Sequence, residues 1–187
     1  SGEVSRVIKE RPSNERFQQE VMPLISTLTQ TARAATINHP SQVENWMNQG
    51  FLYQSILSVM PEAGDQAIRS FLKANQLEPY QPQHATELGK LYLQRADEQR
   101  KLLDVKEQET RLSAKKSFET NLLEAQKWLR LAYNLKTDYY PARYYLGVLY
   151  ERQGKVAKAA TELERILQMN NKDTGLAFEL SLLWYRN

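Results

Sequence analysis

The chain has 187 residues, which is long enough for one domain with a sizeable core. Its 25 basic and 22 acidic side chains leave a net charge of +3, too small and too evenly scattered to indicate a nucleic-acid-binding surface. The absence of cysteine excludes disulfides and thiolate metal sites, and it leaves the cellular compartment open. No apolar run approaches the roughly 20 residues of a membrane span, so we expect a soluble fragment.

The N-terminal part of the chain predicts a polar tail followed by one helix. Ser1-Gly2 is typical of a cloning remnant, and we expect residues 1–12 to be flexible. The residues that follow keep the spacing of one helical face: Leu28, Ala32, Ala35 and Pro40. We therefore predict a packing helix over residues 13–40, with a kink at Pro23 because proline has no backbone N–H to donate.

Residues 43–79 have the pattern of two antiparallel helices. Large and small residues recur at helical spacing in both halves: Trp46, Gly50 and Tyr53, then Ala67, Phe71 and Ala74, ending at Pro79. This spacing puts them on one face of each helix, and the small ones let the two helices approach closely. The stretch from Met60 to Gly64 contains Pro and Gly and predicts a lengthened turn.

Residues 82–138 repeat this pattern around an insert, residues 94–124. The repeated positions are Leu88, Gly89 and Tyr92 in the first half and Ala125, Leu129 and Ala132 in the second. The insert has no Gly or Pro and keeps apolar residues at nearly helical spacing: Ala96, Leu102, Leu103, Val105, Leu112, Phe118 and Leu122. We predict that both helices continue into a projecting antiparallel arm with its turn between Asp104 and Ser113. The alternative is a disordered charged loop.

Residues 140–172 give a third hairpin, and residues 174–187 begin a fourth. The third hairpin has the same positions: Leu146, Gly147 and Tyr150, then Gly154 at the turn, Ala159 and Leu163, with Asn171 at the final Pro position. The pattern starts again 34 positions after Leu146, at Leu180, Ser181 and Trp184. Because the fourth hairpin has no second helix, we expect a piece of a longer chain whose residues 175–187 self-associate through an uncovered apolar face.

A 34-residue period with this order of large and small residues resembles the tetratricopeptide-repeat family. The resemblance covers residues 13–187 as a single domain, and it departs from the family at Gln49, where leucine is usual. It implies an all-α fold, a right-handed superhelical array of antiparallel helix hairpins, with the insert as an extended helical hairpin. It also implies a scaffold that binds a protein or peptide partner.

No arrangement of residues indicates catalysis. His39 lies in a turn and His84 just before a helix start, and neither has an acidic residue at metal-ligand spacing, so we expect both at the surface. There is no Gly-rich phosphate loop and no Gly-x-Ser-x-Gly elbow. We therefore predict that the chain is not an enzyme and needs neither a metal nor a cofactor.

The resemblance also implies a concave groove lined by the first helix of each hairpin. The groove positions are Met47, Phe51, Gln54, Thr86, Lys90, Leu93, Tyr144, Val148, Glu151, Phe178, Leu182 and Tyr185. Met47 and Phe51 stand where family members that grip a peptide carboxylate have basic and amide residues, which argues against that binding mode. An apolar and aromatic groove suits a helix or an extended apolar segment. Alternatively, the chain's own helices fill this surface.

A second resemblance covers most of residues 40–187. The runs Asn45 to Tyr53, Tyr150 to Gly154 and Ala177 to Leu180, together with the charged insert, are similar to the soluble repeat tails of bacterial O-antigen ligase-like membrane proteins. This implies a tail that recruits or positions partners beside a membrane-embedded glycan enzyme, with the chemistry outside this sequence.

Two functions therefore stay open. The chain is either a protein-interaction module or a structural spacer whose surfaces join copies of itself. Nucleic-acid binding ranks third, because acidic residues offset the basic ones throughout the insert.

Overall fold

The computed structural model describes residues 17–169 and 172–186, which form eight α-helices and contain no strand. A π-helical turn, Phe17–Val21, precedes the first helix. The helices are α1 Met22–Asn38, α2 Val43–Ser55, α3 Ala63–Leu77, α4 Pro82–Arg100, α5 Gln108–Leu135, α6 Tyr140–Arg152, α7 Val156–Met169 and α8 Thr174–Tyr185. The predicted all-helical class is confirmed. The predicted flexible residues 1–12, together with Asn171, lie outside the described ranges.

The chain divides into two compact units. The first ends at Pro79 and contains α1 to α3, and the second begins at Tyr80 and contains α4 to α8. The helix pairs α2–α3, α4–α5 and α6–α7 correspond to the three predicted hairpins, and α8 corresponds to the trailing half. A single domain over residues 13–187 stays a prediction.

The first unit begins with a change of helix type instead of a kink within a helix. The π-helical turn ends at Val21, and Pro23 lies in the first turn of α1. Proline is tolerated there because the first N–H groups of a helix have no partner within it. The predicted kink at Pro23 is therefore wrong. The turn after α1 is held by the indole Nε1 of Trp46, which donates to the carbonyl of Pro40 at 2.8 Å.

A buried polar side chain joins all three helices of the first unit. Gln49 of α2 is 6% exposed; its Nε2 donates to Oγ1 of Thr36 in α1 at 3.3 Å, and its Oε1 accepts from Oγ of Ser70 in α3 at 2.8 Å. Burying an amide is tolerated when its donor and acceptor are both satisfied. These two hydrogen bonds explain why a glutamine replaces the leucine that the repeat pattern favours.

In each hairpin, a glycine of the first helix meets a large apolar residue of the second. A Cβ added at the glycine would lie 2.5 to 2.9 Å from that side chain in the three pairs Gly50 with Phe71, Gly89 with Leu129, and Gly147 with Leu163. Real Cβ atoms almost never come so close to another heavy atom, so the helices can cross at these points only because a side chain is missing. Each of these glycines and its large partner occupies the position that the sequence pattern assigns to it.

The core of the second unit runs through its successive hairpins. One buried cluster joins the second and third hairpins: Leu93, Ala96, Leu122, Ala125, Leu129, Leu146 and Leu149. Tyr92 and Tyr150 pack against it. A second cluster joins α7 and α8 around Leu163, Ile166, Leu176 and Leu183. Because neighbouring hairpins share these clusters, each hairpin stabilises the next.

The insert forms the helical arm that its sequence predicts. The last turns of α4 pair with the first turns of α5, and the two helices join through residues 101–107. The predicted position of the turn, between Asp104 and Ser113, is partly wrong because α5 already begins at Gln108. Glu107 precedes that first turn and accepts a hydrogen bond from Thr110 at 2.8 Å. A carboxylate at a helix N-terminus is favourable, which gives a physical reason for the earlier start.

Candidate functional site

Three of the predicted groove residues are buried. Thr86 is 1% exposed, and its hydroxyl donates to the carbonyl of Pro82 at 2.8 Å. Leu93 belongs to the core of the second unit, and Met47 is 8% exposed. Met47, Thr86 and Leu93 are therefore unavailable to a ligand in this structure, contrary to the sequence-based prediction.

Phe51 and Gln54 are partly exposed in the first unit, where Phe51 also contacts the core. The Phe51 ring meets the buried Phe71 ring edge-on, with 5.2 Å between ring centroids. Phe51 also lines a cavity of about 520 Å³ together with Leu28 and Ala32 of α1. Phe51 thus supports the packing of α2, so replacing it would affect stability as well as any ligand.

The second unit brings four predicted groove residues to one cavity. Tyr144, Val148 and Glu151 follow one another along one face of α6, and Leu182 faces them from α8. The cavity has a volume of about 260 Å³, and its other lining residues are Gly147, Arg152, Ala159, Leu163, Glu179, Leu183 and Arg186. We call it the α6–α8 cavity. Its wall combines apolar side chains with an aromatic ring and charged groups.

Three tyrosines extend the aromatic wall along α6. The rings of Tyr140 and Tyr144 are nearly parallel, 3° apart, with 6.4 Å between centroids. The Tyr145 ring meets the Tyr144 ring edge-on, with 5.2 Å between their centroids. Lys90, another predicted groove residue, places its ammonium 6.0 Å from the centre of the Tyr145 ring, at the limit of a cation–π contact. Lys90 also pairs with Glu87 at 3.2 Å.

Carboxylates lie beside two of these phenols. The hydroxyl of Tyr144 donates to Oε1 of Glu179 at 3.3 Å, and that of Tyr140 donates to Oδ2 of Asp173 at 3.2 Å. Burial, followed by the charge of Glu179, raises the pKa of Tyr144 to about 12. Burial and the charge of Asp173 raise the pKa of Tyr140 in the same way. Both phenols therefore stay protonated at neutral pH.

Arg152 is held in place by carboxylates of two helices. Its Nε lies 2.6 Å from Oδ1 of Asp97 in α4, its Nη2 3.3 Å from Oδ2, and its Nη1 3.1 Å from Oε2 of Glu151. The hydrogen bond to Asp97 is the largest cause that raises the pKa of Arg152. This fork-to-carboxylate geometry fixes the guanidinium and joins the third hairpin to the second.

Phe178 and Tyr185 lie outside the α6–α8 cavity, although both were predicted to line the groove. They are 64% and 89% exposed, and Trp184 on the same helix is 53% exposed. The cavity lining thus includes Leu182 and Glu179 of α8 and none of these three aromatic side chains.

Within the described ranges, no three His, Cys, Asp or Glu side chains come together as metal ligands would. His39 is exposed as predicted, whereas His84 is only 4% exposed and the prediction of a surface position is wrong. None of the helices in these ranges combines the length and apolar character needed to cross a bilayer.

Comparisons with known proteins show the fold. No family model and no curated protein matches the chain. A thermophilic repeat protein of Thermus thermophilus matches 97% of this chain and 87% of its own, with a TM-score of 0.65 and 15% identity. MamA matches 92% of this chain and 82% of its own, with a TM-score of 0.62 and 17% identity. The described residues have a tetratricopeptide-repeat-like fold.

A third similar structure is the first tetratricopeptide repeat of Spaghetti (RPAP3) bound to the HSP90 peptide SRMEEVD. It covers 77% of this chain and 94% of its own, with a TM-score of 0.57 and 17% identity. Together the three structures support the repeat-like fold and show that this fold holds a peptide in at least one other protein.

The repeat register located Tyr144, Val148, Glu151 and Leu182 but missed the charged groups around them. Glu179 lies three positions before Leu182 and Arg186 four positions after it, so the same helical periodicity could have found both. Asp97 is 55 positions from Arg152 in sequence, and no local pattern links the two.

Proposed function

We propose that the second unit binds a segment of a partner protein in the α6–α8 cavity. The observation that carries this proposal is the convergence of Tyr144, Val148, Glu151 and Leu182, which the repeat register selects independently, on one open cavity. An interaction scaffold needs such a concave surface, since recognition in repeat proteins depends on side chains that face the inner side of the array.

The cavity suits one or two side chains of a partner. At about 260 Å³ it is smaller than a typical small-molecule site, which argues for the insertion of a side chain from a peptide or helix. Val148 and Leu182 supply apolar contact, and Tyr144 supplies a rigid aromatic surface of the kind enriched in binding hot spots. The peptide bound by the similar RPAP3 repeat supports a peptide as the general class of partner.

The proposal is tested with peptides selected from a random displayed library on the whole chain. Their affinities are then measured by fluorescence polarisation for wild type, Tyr144→Ala and Leu182→Ala. We expect each substitution to weaken binding at least about 5-fold, a loss of about 1 kcal/mol or more as for a modest hot spot. Tyr185→Ala is the matched control, because Tyr185 is exposed on α8 but does not line the cavity. Equal loss in all three variants, or loss in the control alone, would refute the cavity as the binding site.

A second candidate function is self-association through α8. Its support is the exposure of Phe178, Trp184 and Tyr185 on one helix, since large exposed aromatic groups favour contact with another apolar surface. Sedimentation velocity over a range of concentrations tests it. A dimer that Trp184→Ser abolishes would favour a structural or assembly role, and a monomer at all concentrations would exclude this candidate.

The resemblance to the repeat tails of O-antigen ligase-like proteins adds a setting for either function, and it stays a proposal. In that setting the partner lies beside a membrane-embedded glycan enzyme. Co-purification with such an enzyme through the α6–α8 cavity, lost in Tyr144→Ala, is the result that would support it.

A further inference from the structure

We infer that the α6–α8 cavity selects a partner segment that presents an arginine or lysine side chain next to an apolar one. This inference rests on the proposed binding function and specifies the chemistry of the partner. It depends on the charge around the cavity and on the tyrosine rings beside it.

The charged groups around the cavity leave an excess of carboxylates. The lining itself holds two carboxylates and two guanidinium groups, Glu151 and Glu179 with Arg152 and Arg186, and Asp97 adds a third carboxylate by binding Arg152 from α4, which gives a formal charge of −1. The chain as a whole carries +3, so this region has the opposite sign to the rest of the molecule. Local charge of one sign favours encounter with a partner group of the other sign.

The positive charge of Arg152 is already neutralised within the protein. Asp97 binds it through both carboxylate oxygens, and Glu151 bonds to its remaining edge. The guanidinium therefore has little capacity to attract an acidic partner. Glu179, by contrast, accepts one hydrogen bond from the Tyr144 phenol at Oε1, and among the described residues no cation bonds its second oxygen. That oxygen is available to a donor from a partner.

The tyrosine rings provide the second recognition element. Aromatic faces carry negative quadrupole charge, so an ammonium or guanidinium beside them is attracted. Within this protein, Lys90 already approaches the Tyr145 ring. Burial is the main cause that raises the pKa values of Tyr140 and Tyr144, and the carboxylates of Asp173 and Glu179 add to it.

Arg186 is the one lining group that opposes a cationic partner. It directly follows the last residue of α8, four positions after Leu182, lines the cavity and has no carboxylate partner among the described residues. Its removal should strengthen the binding of a basic segment and weaken that of an acidic one. This opposite response makes Arg186 a useful probe of the charge preference.

The test uses three matched peptides, Ac-Ala-Leu-Xaa-Ala-Leu-Xaa-Ala-NH2, in which Xaa is Arg, Gln or Glu. Binding to the whole chain is followed by ¹H–¹⁵N chemical-shift titration at low and high salt. We expect shifts on α6 and α8, with the Arg peptide binding about 3- to 10-fold more tightly than the Gln peptide at low salt. The Glu peptide should bind most weakly, and high salt should reduce the difference.

Charge variants complete the test. Glu179→Gln should reduce the affinity for the Arg peptide about 2- to 5-fold, the range of an exposed ion pair. Arg186→Gln should increase it by a similar factor. Glu164→Gln is the matched control, because Glu164 is exposed on α7 and lies outside the cavity lining. It should leave the affinity unchanged.

The outcomes separate the two proposals. Equal binding of all three peptides, or preference for the Glu peptide, overturns the inference and leaves the binding function standing. Shifts that avoid α6 and α8 for every peptide overturn both. A cation preference that survives Glu179→Gln unchanged also overturns the inference, because the carboxylate would then contribute nothing.

Discussion

Two glycines in the second unit offer a matched test of how closely the hairpin helices pack. A Cβ added at Gly89 would lie 2.5 Å from Cγ and 2.6 Å from Cδ2 of Leu129, which is fully buried. A Cβ added at Gly147 would lie 2.9 Å from Cδ2 of Leu163 and 3.3 Å from its Cγ. Both glycines contact a leucine of the same unit, so the two glycine-to-alanine substitutions differ mainly in the steric overlap that each creates.

The expected changes in stability follow from two opposing effects. Overfilling a packed core costs about 1–3 kcal/mol, whereas replacing a mid-helix glycine by alanine gains about 1 kcal/mol. At Gly89 the overlap involves the branch carbon of Leu129, so Gly89→Ala should lower the free energy of unfolding by about 1–2 kcal/mol. At Gly147 the overlap is mainly with a terminal methyl that can turn aside, so Gly147→Ala should change it by less than about 0.5 kcal/mol. Gly147→Leu should cost about 1–3 kcal/mol.

Urea denaturation followed by circular dichroism measures these differences. The double variant Gly89→Ala/Leu129→Ala provides the control. Because Leu129→Ala removes the atoms that clash, the double variant should lose less than the sum of the single losses by about 1 kcal/mol or more. The packing argument is refuted if Gly89→Ala is as stable as wild type or if the two substitutions are additive.

Three further predictions concern polar groups. Gln49→Leu should change the free energy of unfolding by less than about 1 kcal/mol, because both hydroxyls that bond Gln49 also have carbonyl acceptors in their own helices. Gln49→Ala, which leaves a cavity, should cost about 2 kcal/mol. Urea denaturation measures both changes. A double-mutant cycle of Arg152→Ala and Asp97→Ala, measured in the same way, should give a coupling energy of about 1 kcal/mol, and zero coupling would contradict the fixed pairing. The raised pKa of Tyr144 favours the protonated folded state, so its contribution is complete below pH 10 and is lost as pH rises towards about 12. Over that interval, the urea midpoint of wild type should fall more than that of Tyr144→Phe.

The hairpins could be predicted from sequence because their packing depends on local spacing. Gly50, Gly89 and Gly147 each lie where the second helix of the hairpin crosses the first. In that second helix, the large residue that contacts the glycine comes four positions after an alanine. Helical periodicity carries this information directly. The same reasoning recovered four residues of the cavity, since Tyr144 and Val148 are one turn apart on α6 and their exposed face follows from the core face.

Other features depend on tertiary context that periodicity does not contain. Successive side chains of a helix point about 100° apart, so an error of one residue in the predicted groove positions selects a core residue instead. This happened at Met47 and Thr86. The end of α4 at Arg100 has no Gly or Pro to mark it. The pair Asp97 and Arg152 brings together distant parts of the chain, and a single sequence gives no signal for such a contact.

The arm formed by α4 and α5 also determines where foreign sequence can be added. Its connecting turn, residues 101–107, begins just past Arg100, eleven residues and about 17 Å along the helix axis from the crossing at Gly89. Most side chains of this turn are exposed. Exposed turns that lie far from packed crossings accept insertions well. A fluorophore, an epitope or an entire small domain can therefore be placed in this turn to report on this protein, provided that Asp97, four residues before the turn, keeps its contact with Arg152.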